Sequence, residues 1–139
     1  MATVDEFHKI EMKIGTILVA EYIEGADKLL RLEVDFGPKV VQESEAESSE
    51  KERALEAAVE TEGVVVLEPE RDIRQILSGI RAYYAPEALV GKQCPFVVNL
   101  EPRTMRGLVS HGMILAVGIG AEAVLLHPDK VVPPGSELR

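Results

Sequence analysis

The chain has no apolar run near the ~18 residues that a membrane-spanning helix needs. Its first residues, Met1-Ala2-Thr3-Val4-Asp5-Glu6, lack the basic-then-apolar pattern of an export signal. Neither membrane insertion nor secretion is expected. There is one cysteine, Cys94, so no disulfide can form within the chain, and a reducing cytoplasm suits it. His8, His111 and His127 lie far apart, and Cys94 has no neighbour at ligand spacing, so no metal site is expected. Gly118-Ile119-Gly120 lacks the third glycine of a phosphate-binding turn and is followed by no helix, so no nucleotide cofactor is expected either. Ser110-His111 could suggest a nucleophile beside its base. Adjacent strand residues point to opposite faces, however, which keeps the two apart. The sequence predicts no active site.

What is present fits one soluble globular domain spanning 1–139: 139 residues, 46% apolar and 28% charged. The net charge of -9 argues against nucleic acid when taken whole. Its distribution does not. Residues 42–72 hold 11 acidic and 3 basic side chains, whereas the remainder holds 13 and 12 and is nearly neutral.

Hydrophobic alternation predicts strands. Lys13–Tyr22 is apolar on both faces, as in a long curved strand shared by two parts of a barrel. After the turn Glu24-Gly25-Ala26-Asp27, Leu30, Leu32, Val34 and Phe36 alternate with Arg31, Glu33 and Asp35, the clearest period-two signal in the chain. Residues 74–80 form the third strand, Pro86–Val90 one helical turn, and Phe96–Leu100 the fourth strand. Glu101 to Gly107 reads as a loop. Met113–Val117 and a short run from Ala123 to Leu126 follow. Between the second and third strands, residues 38–72 read as an insertion. Ser49 and Glu52 there form a capping box for a short helix to about Thr61, and Val64–Leu67 has strand character. The expected fold is all-β: an OB-fold, five-stranded Greek-key barrel with a short helix between strands three and four and an acidic, helix-containing insertion between strands two and three.

A basic and polar set falls on the barrel segments: Lys28 and Arg31, Arg74 and Ser78, Arg103 and Arg106 flanking Met105, with Asn99, Ser110 and Met113 nearby in sequence. Arginine and lysine bind phosphate, and splayed bases are held by hydrogen bonds and polarizable surfaces. Several blocks in this set also carry a resemblance. Ala26-Asp27-Lys28-Leu29, Arg74-Gln75-Ile76-Leu77-Ser78-Gly79-Ile80 and Tyr84-Ala85-Pro86-Glu87-Ala88-Leu89-Val90-Gly91-Lys92 are three of them. Asn99-Leu100-Glu101-Pro102-Arg103-Thr104-Met105-Arg106-Gly107, Ser110-His111-Gly112-Met113-Ile114-Leu115-Ala116 and the tail from Pro128 to Ser136 are the others. Together they resemble the tRNA-binding domain found at the C-terminus of many methionyl-tRNA synthetases and as a stand-alone tRNA-binding protein.

The resemblance implies an OB fold that binds tRNA largely by shape, without catalysis, beside a synthetase or alone. It also implies a homodimer formed through segments flanking the barrel. Its tRNA-facing positions carry over to Asn99, Arg103, Arg106, Ser110 and Met113, and further to Lys28, Arg74 and Ser78. A related secretion-chaperone branch on the same fold implies protein binding instead. The chain departs from the family's usual lysines at Glu101 and Thr104, which predicts weaker, less salt-dependent RNA binding. The acidic segment 42–72 is expected to limit RNA access.

Overall fold

The computed structural model describes residues 1–39 and 70–139. The chain divides into two compact units, Met1–Gly37 with Arg71–Arg139, and Pro38–Glu70. Within the second unit, the described ends meet: Lys39 N donates to the Glu70 carbonyl at 2.8 Å, and Lys39 Nζ lies 2.9 Å from Glu70 Oε1.

The first unit is built on two long strands, β1 (Met12–Ile23) and β2 (Ala26–Pro38), paired antiparallel with Thr16 opposite Asp35 and Ala20 opposite Leu32. The alternation in β2 does what its pattern predicts: Leu30, Leu32, Val34 and Phe36 are all buried. Asp35 is buried as well, and its carboxylate is satisfied by Arg71 Nη2 at 2.8 Å and Gly37 N at 2.8 Å. The first half of β1, Met12 to Thr16, also pairs with β4 (Gln93–Val97). Gly15 permits that double role, since a Cβ there would stand 2.3 Å from Val34 Cγ1 and 2.8 Å from Phe36 Cε1.

β3 (Arg71–Ser78), the hairpin strands β5 (Arg103–Met105) and β6 (Leu108–Ser110), and the two-residue β7 (Met113–Ile114) complete the wall. The five-stranded sheet has the order β3-β2-β1-β4-β7. Its outer edges turn toward each other, because His111 N donates to the Gln75 carbonyl at 2.9 Å and Gln75 Nε2 to the Val109 carbonyl at 2.8 Å. The sheet is thereby curled into a barrel-like form around Ile17, Leu30, Leu32, Val34, Ile76, Cys94 and Phe96. Phe36 and Phe96 meet edge-on at 5.4 Å. Between β3 and β4, as expected, lies a short helix, α2 (Pro86–Leu89), which begins on proline and buries Leu89 in the same core. A second small hairpin, β8 (Ala116–Ile119) with β9 (Glu122–Leu125), follows β7. The C-terminal tail then runs beside β1, with Gly135 N on the Ile14 carbonyl at 2.7 Å and Leu138 N on the Met12 carbonyl at 3.0 Å.

The all-β barrel expectation holds, and several local readings change. A helix not foreseen, α1 (Val4–His8), is closed by a capping box between Thr3 and Glu6. The fourth strand starts at Gln93 and ends at Val97, three residues earlier than its apolar run suggests, with Pro95 inside it. Residues 113–117 do not form one strand, because Leu115 N turns to the Pro95 carbonyl at 3.0 Å and separates β7 from β8. The Ser49 capping box, the helix to Thr61 and the 64–67 strand fall outside the described residues. Among the described residues, no helix is long and apolar enough to cross a membrane, and no cluster of three metal-ligating side chains occurs.

Candidate nucleic-acid interface

Residues 101–107, expected as a loop, enter a tight β-hairpin. Arg103 pairs with Ser110, Thr104 with Val109 and Met105 with Leu108, leaving Arg106-Gly107 as a two-residue turn. Arg106 has φ 52° and Gly107 φ 77°. Positive φ at both positions gives the turn the twist of its flanking strands, and for arginine it costs roughly 1–2 kcal/mol. Met105 and Leu108 pack against a small apolar cluster of Ile23, Ala26 and Leu77, which anchors the hairpin on the barrel. Arg106 is thereby presented at an exposed tip.

Beside the hairpin lies a cleft of about 390 Å³. Leu29, Leu77 and Ile114 give it an apolar lining, Met105 and Met113 a polarizable one, and Ser78 and Arg103 are its polar groups. The side chains of Arg103 and Arg106 make no ion pair or hydrogen bond among the described residues. Ser78 is only 6% exposed, and its hydroxyl also has no partner among the described residues. A buried hydroxyl left unpaired costs roughly 1–3 kcal/mol unless something else satisfies it. Lys28 is exposed on β2, one residue from Leu29 of the cleft, and its carbonyl accepts from Arg81 N at 3.4 Å.

The other three expected site residues are engaged in holding the barrel together. Arg74 donates from Nη1 to the Val98 carbonyl at 2.6 Å and the His111 carbonyl at 3.2 Å. Its Nε lies 3.0 Å from Asp72 Oδ1, and its guanidinium is 5.5 Å from the Phe36 ring centroid. Asn99 clips the N-terminal segment, accepting from Glu11 N at 2.8 Å and donating to the Lys9 carbonyl at 2.7 Å. Ser110 is 3% exposed; it accepts from Leu77 N at 3.0 Å and donates to the Gly112 carbonyl at 3.0 Å. Its partners are backbone groups rather than His111, which is exposed.

The expected set therefore separates into two. Ser78, Arg103 and Met113 meet at one cleft, with Arg106 at the tip beside it and Lys28 at its margin. Arg74, Asn99 and Ser110 are spent on internal bonds. Met105 belongs with the first group, and its signal was its place two residues after Arg103 on the same strand face.

A curled five-stranded barrel bearing an arginine hairpin beside a methionine-lined cleft defines a class of β-barrel binding modules. The chain belongs to the family described as "Putative tRNA binding domain", whose model matches residues 67–137. It is 40% identical over 135 residues to a methionine–tRNA ligase of Methanothrix thermoacetophila, and 38% identical over 138 residues to one of Xylella fastidiosa. These matches cover 97% and 98% of the chain but only 15% of each ligase. Among solved structures, a MetRS-related protein from Pyrococcus horikoshii aligns with a TM-score of 0.72 and 29% identity, covering 100% of this chain and 98% of that one. The chaperone CsaA of Bacillus anthracis aligns with a TM-score of 0.69 and 26% identity, over 100% of this chain and 99% of its own.

Proposed function

We propose that this chain is a non-catalytic tRNA-binding module that recognises tRNA by shape and backbone, in the cytoplasm, alone or beside a methionyl-tRNA synthetase. The observation that carries the reading is the cleft: an unpartnered buried hydroxyl at Ser78 and a free guanidinium at Arg103, set between two methionines. In this arrangement Arg103, Arg106 and Lys28 meet phosphate, Met105 and Met113 offer a polarizable wall to a base, and Ser78 completes its hydrogen bonding with the ligand. Arg74, Asn99 and Ser110 serve the same surface indirectly, by fixing the strands and loops that bear it. The domain is one barrel spanning 1–139, interrupted by an insertion at 38–70 rather than 38–72, since Arg71 and Asp72 belong to β3. A homodimer through the flanking segments fits as well, since α1 buries none of its residues and leaves Val4 and Phe7, with Ile10 just beyond it, open to solvent.

The test is a tRNA titration at several salt concentrations, with an Arg103→Ala/Arg106→Ala variant alongside. The wild type should bind more weakly as salt rises. The variant should bind more weakly still, with a log–log slope shallower by about 1 to 2, as expected for losing up to two phosphate contacts. No binding at low salt would overturn the reading. It would favour a protein partner, for which the likeness to a chaperone over the whole chain is the supporting observation.

A further inference from the structure

Most aromatic rings of this chain have an assigned task. Phe36 and Phe96 pack in the core, the Tyr84 hydroxyl oxygen accepts from Leu125 N at 3.0 Å, the Tyr83 hydroxyl donates to the Ala121 carbonyl, and Phe7 lies against His8. Tyr22 differs. It is 53% exposed, and its hydroxyl has no partner among the described residues. It stands opposite Leu30, which is fully buried, so it occupies the inward-facing side of the β1–β2 ladder. Its ring reaches solvent because it sits at the end of that ladder, next to the register shift at Tyr22/Ile23.

The Arg81 guanidinium lies over this ring, 4.5 Å from its centroid. Arg81 is held there by its own bonds, Nη1 to the Ala26 carbonyl at 2.9 Å and the backbone N to the Lys28 carbonyl at 3.4 Å. No carboxylate pairs with it among the described residues, so its charge is uncompensated. It directly follows Gly79 and Ile80, which wall the cleft, and its backbone neighbour across the sheet is Lys28. A guanidinium plane fixed on an aromatic ring is a flat, cationic surface whose geometry is set before any ligand arrives.

We propose that Tyr22 and Arg81 form a stacking platform for an unpaired nucleobase of the bound RNA, extending the cleft along the barrel rim; this rests on the tRNA-binding reading above. Bases stack on guanidinium planes and on aromatic rings alike, and such contacts tolerate any base identity. The platform therefore adds affinity without adding a sequence code, in keeping with recognition by shape.

The chain has no tryptophan, so Tyr22→Trp creates a single fluorophore at the platform. Adding tRNA should quench its emission, and an unstructured single-stranded oligonucleotide should do so at higher concentration. Tyr22→Leu, which keeps apolar bulk but removes the ring, should weaken tRNA binding roughly tenfold while leaving the salt slope unchanged, whereas Tyr22→Phe should stay within about twofold of wild type. Unquenched Tyr22→Trp emission under conditions where wild-type binding is demonstrated, or a Tyr22→Leu affinity within twofold of wild type, would overturn the platform and leave the tRNA reading intact. Absence of wild-type binding would overturn both. Should Tyr22→Leu fail to fold, the Tyr22→Trp quenching decides alone.

Discussion

Two serines that the family resemblance places in the same role should respond to alanine in opposite ways. Ser110 and Ser78 are both nearly buried, at 3% and 6% exposure. Ser110→Ala removes an oxygen that accepts from Leu77 N and donates to the Gly112 carbonyl, at the seam where β3 meets β6 and β7. Leu77 is itself buried, so its amide loses its partner inside the protein. An unsatisfied buried donor costs about 1–3 kcal/mol, and the orphaned carbonyl adds to that. At about 3–5 °C per kcal/mol for a chain of this size, Ser110→Ala should lower Tm by roughly 5–10 °C. Ser78→Ala should not, because its hydroxyl has no internal partner to lose. Removing an unpaired buried hydroxyl leaves stability unchanged or raises it slightly. Its effect should fall on tRNA affinity instead, by about 1 kcal/mol or roughly fivefold, the worth of one neutral hydrogen bond. The assay is thermal unfolding by circular dichroism, followed by tRNA titration at a temperature where every variant is folded. An Ser110→Ala protein melting with wild type would refute the account of the seam. An Ser78→Ala protein that loses several degrees would refute the assignment of its hydroxyl to the ligand.

Three other outcomes follow from the geometry. Arg106→Gly should raise stability by about 1 kcal/mol, by relieving the positive φ, yet weaken tRNA binding and flatten its salt dependence; calorimetry and titration of the same preparation read both signs. Burial pushes the Cys94 thiol up from about 9 to about 11, against a smaller opposing pull from Lys92. The folded protein should therefore alkylate on the order of a hundredfold more slowly than the unfolded chain at pH 8. Because the unfolded chain releases that proton first, stability should fall as pH rises from about 9 to about 11, and denaturant titrations of Cys94→Ala should lack that component. Finally, replacing residues 40–69 by a two-residue turn across Lys39 and Glu70, already joined at 2.8 Å, removes nine acidic and two basic side chains. Tighter tRNA binding at low salt, converging with wild type at high salt, is the expected result; unchanged affinity would assign the segment another role.

The barrel was legible where side-chain period and burial coincide. In β2, one strict alternation named four residues of the core, and the long first strand was placed within one residue at each end. Legibility failed where backbone chemistry overrides pattern. The hairpin at 103–110 turns on an arginine with positive φ, a conformation that sequence reading reserves for glycine, asparagine and aspartate, so Arg106-Gly107 read as loop. The apolar run alone placed the fourth strand at Phe96–Leu100, whereas β4 begins at Gln93 and carries Pro95 opposite Ile14. The α1 capping box was present in the letters Thr3 and Glu6, but the helix is only five residues long, too short for an apolar period to show.

The binding face posed a different problem, because the chemistry that touches RNA is the chemistry that ties strands together. Arginine forks onto backbone carbonyls as readily as onto phosphate, and serine and asparagine bond to an amide of either polymer. Sequence brought both Arg103 and, in second place, Arg74 forward as tRNA-facing. The fold separates them by what lies within reach: two carbonyls and a carboxylate for Arg74, and only an open cleft for Arg103. The same criterion divides Ser110 from Ser78, and it sets Asn99 among the groups that hold the N-terminal segment in place. A block of family-like residues thus falls into two layers, one bonded inside the barrel and one left open on its surface. Loss of binding after mutation distinguishes them only when stability is measured in the same variant.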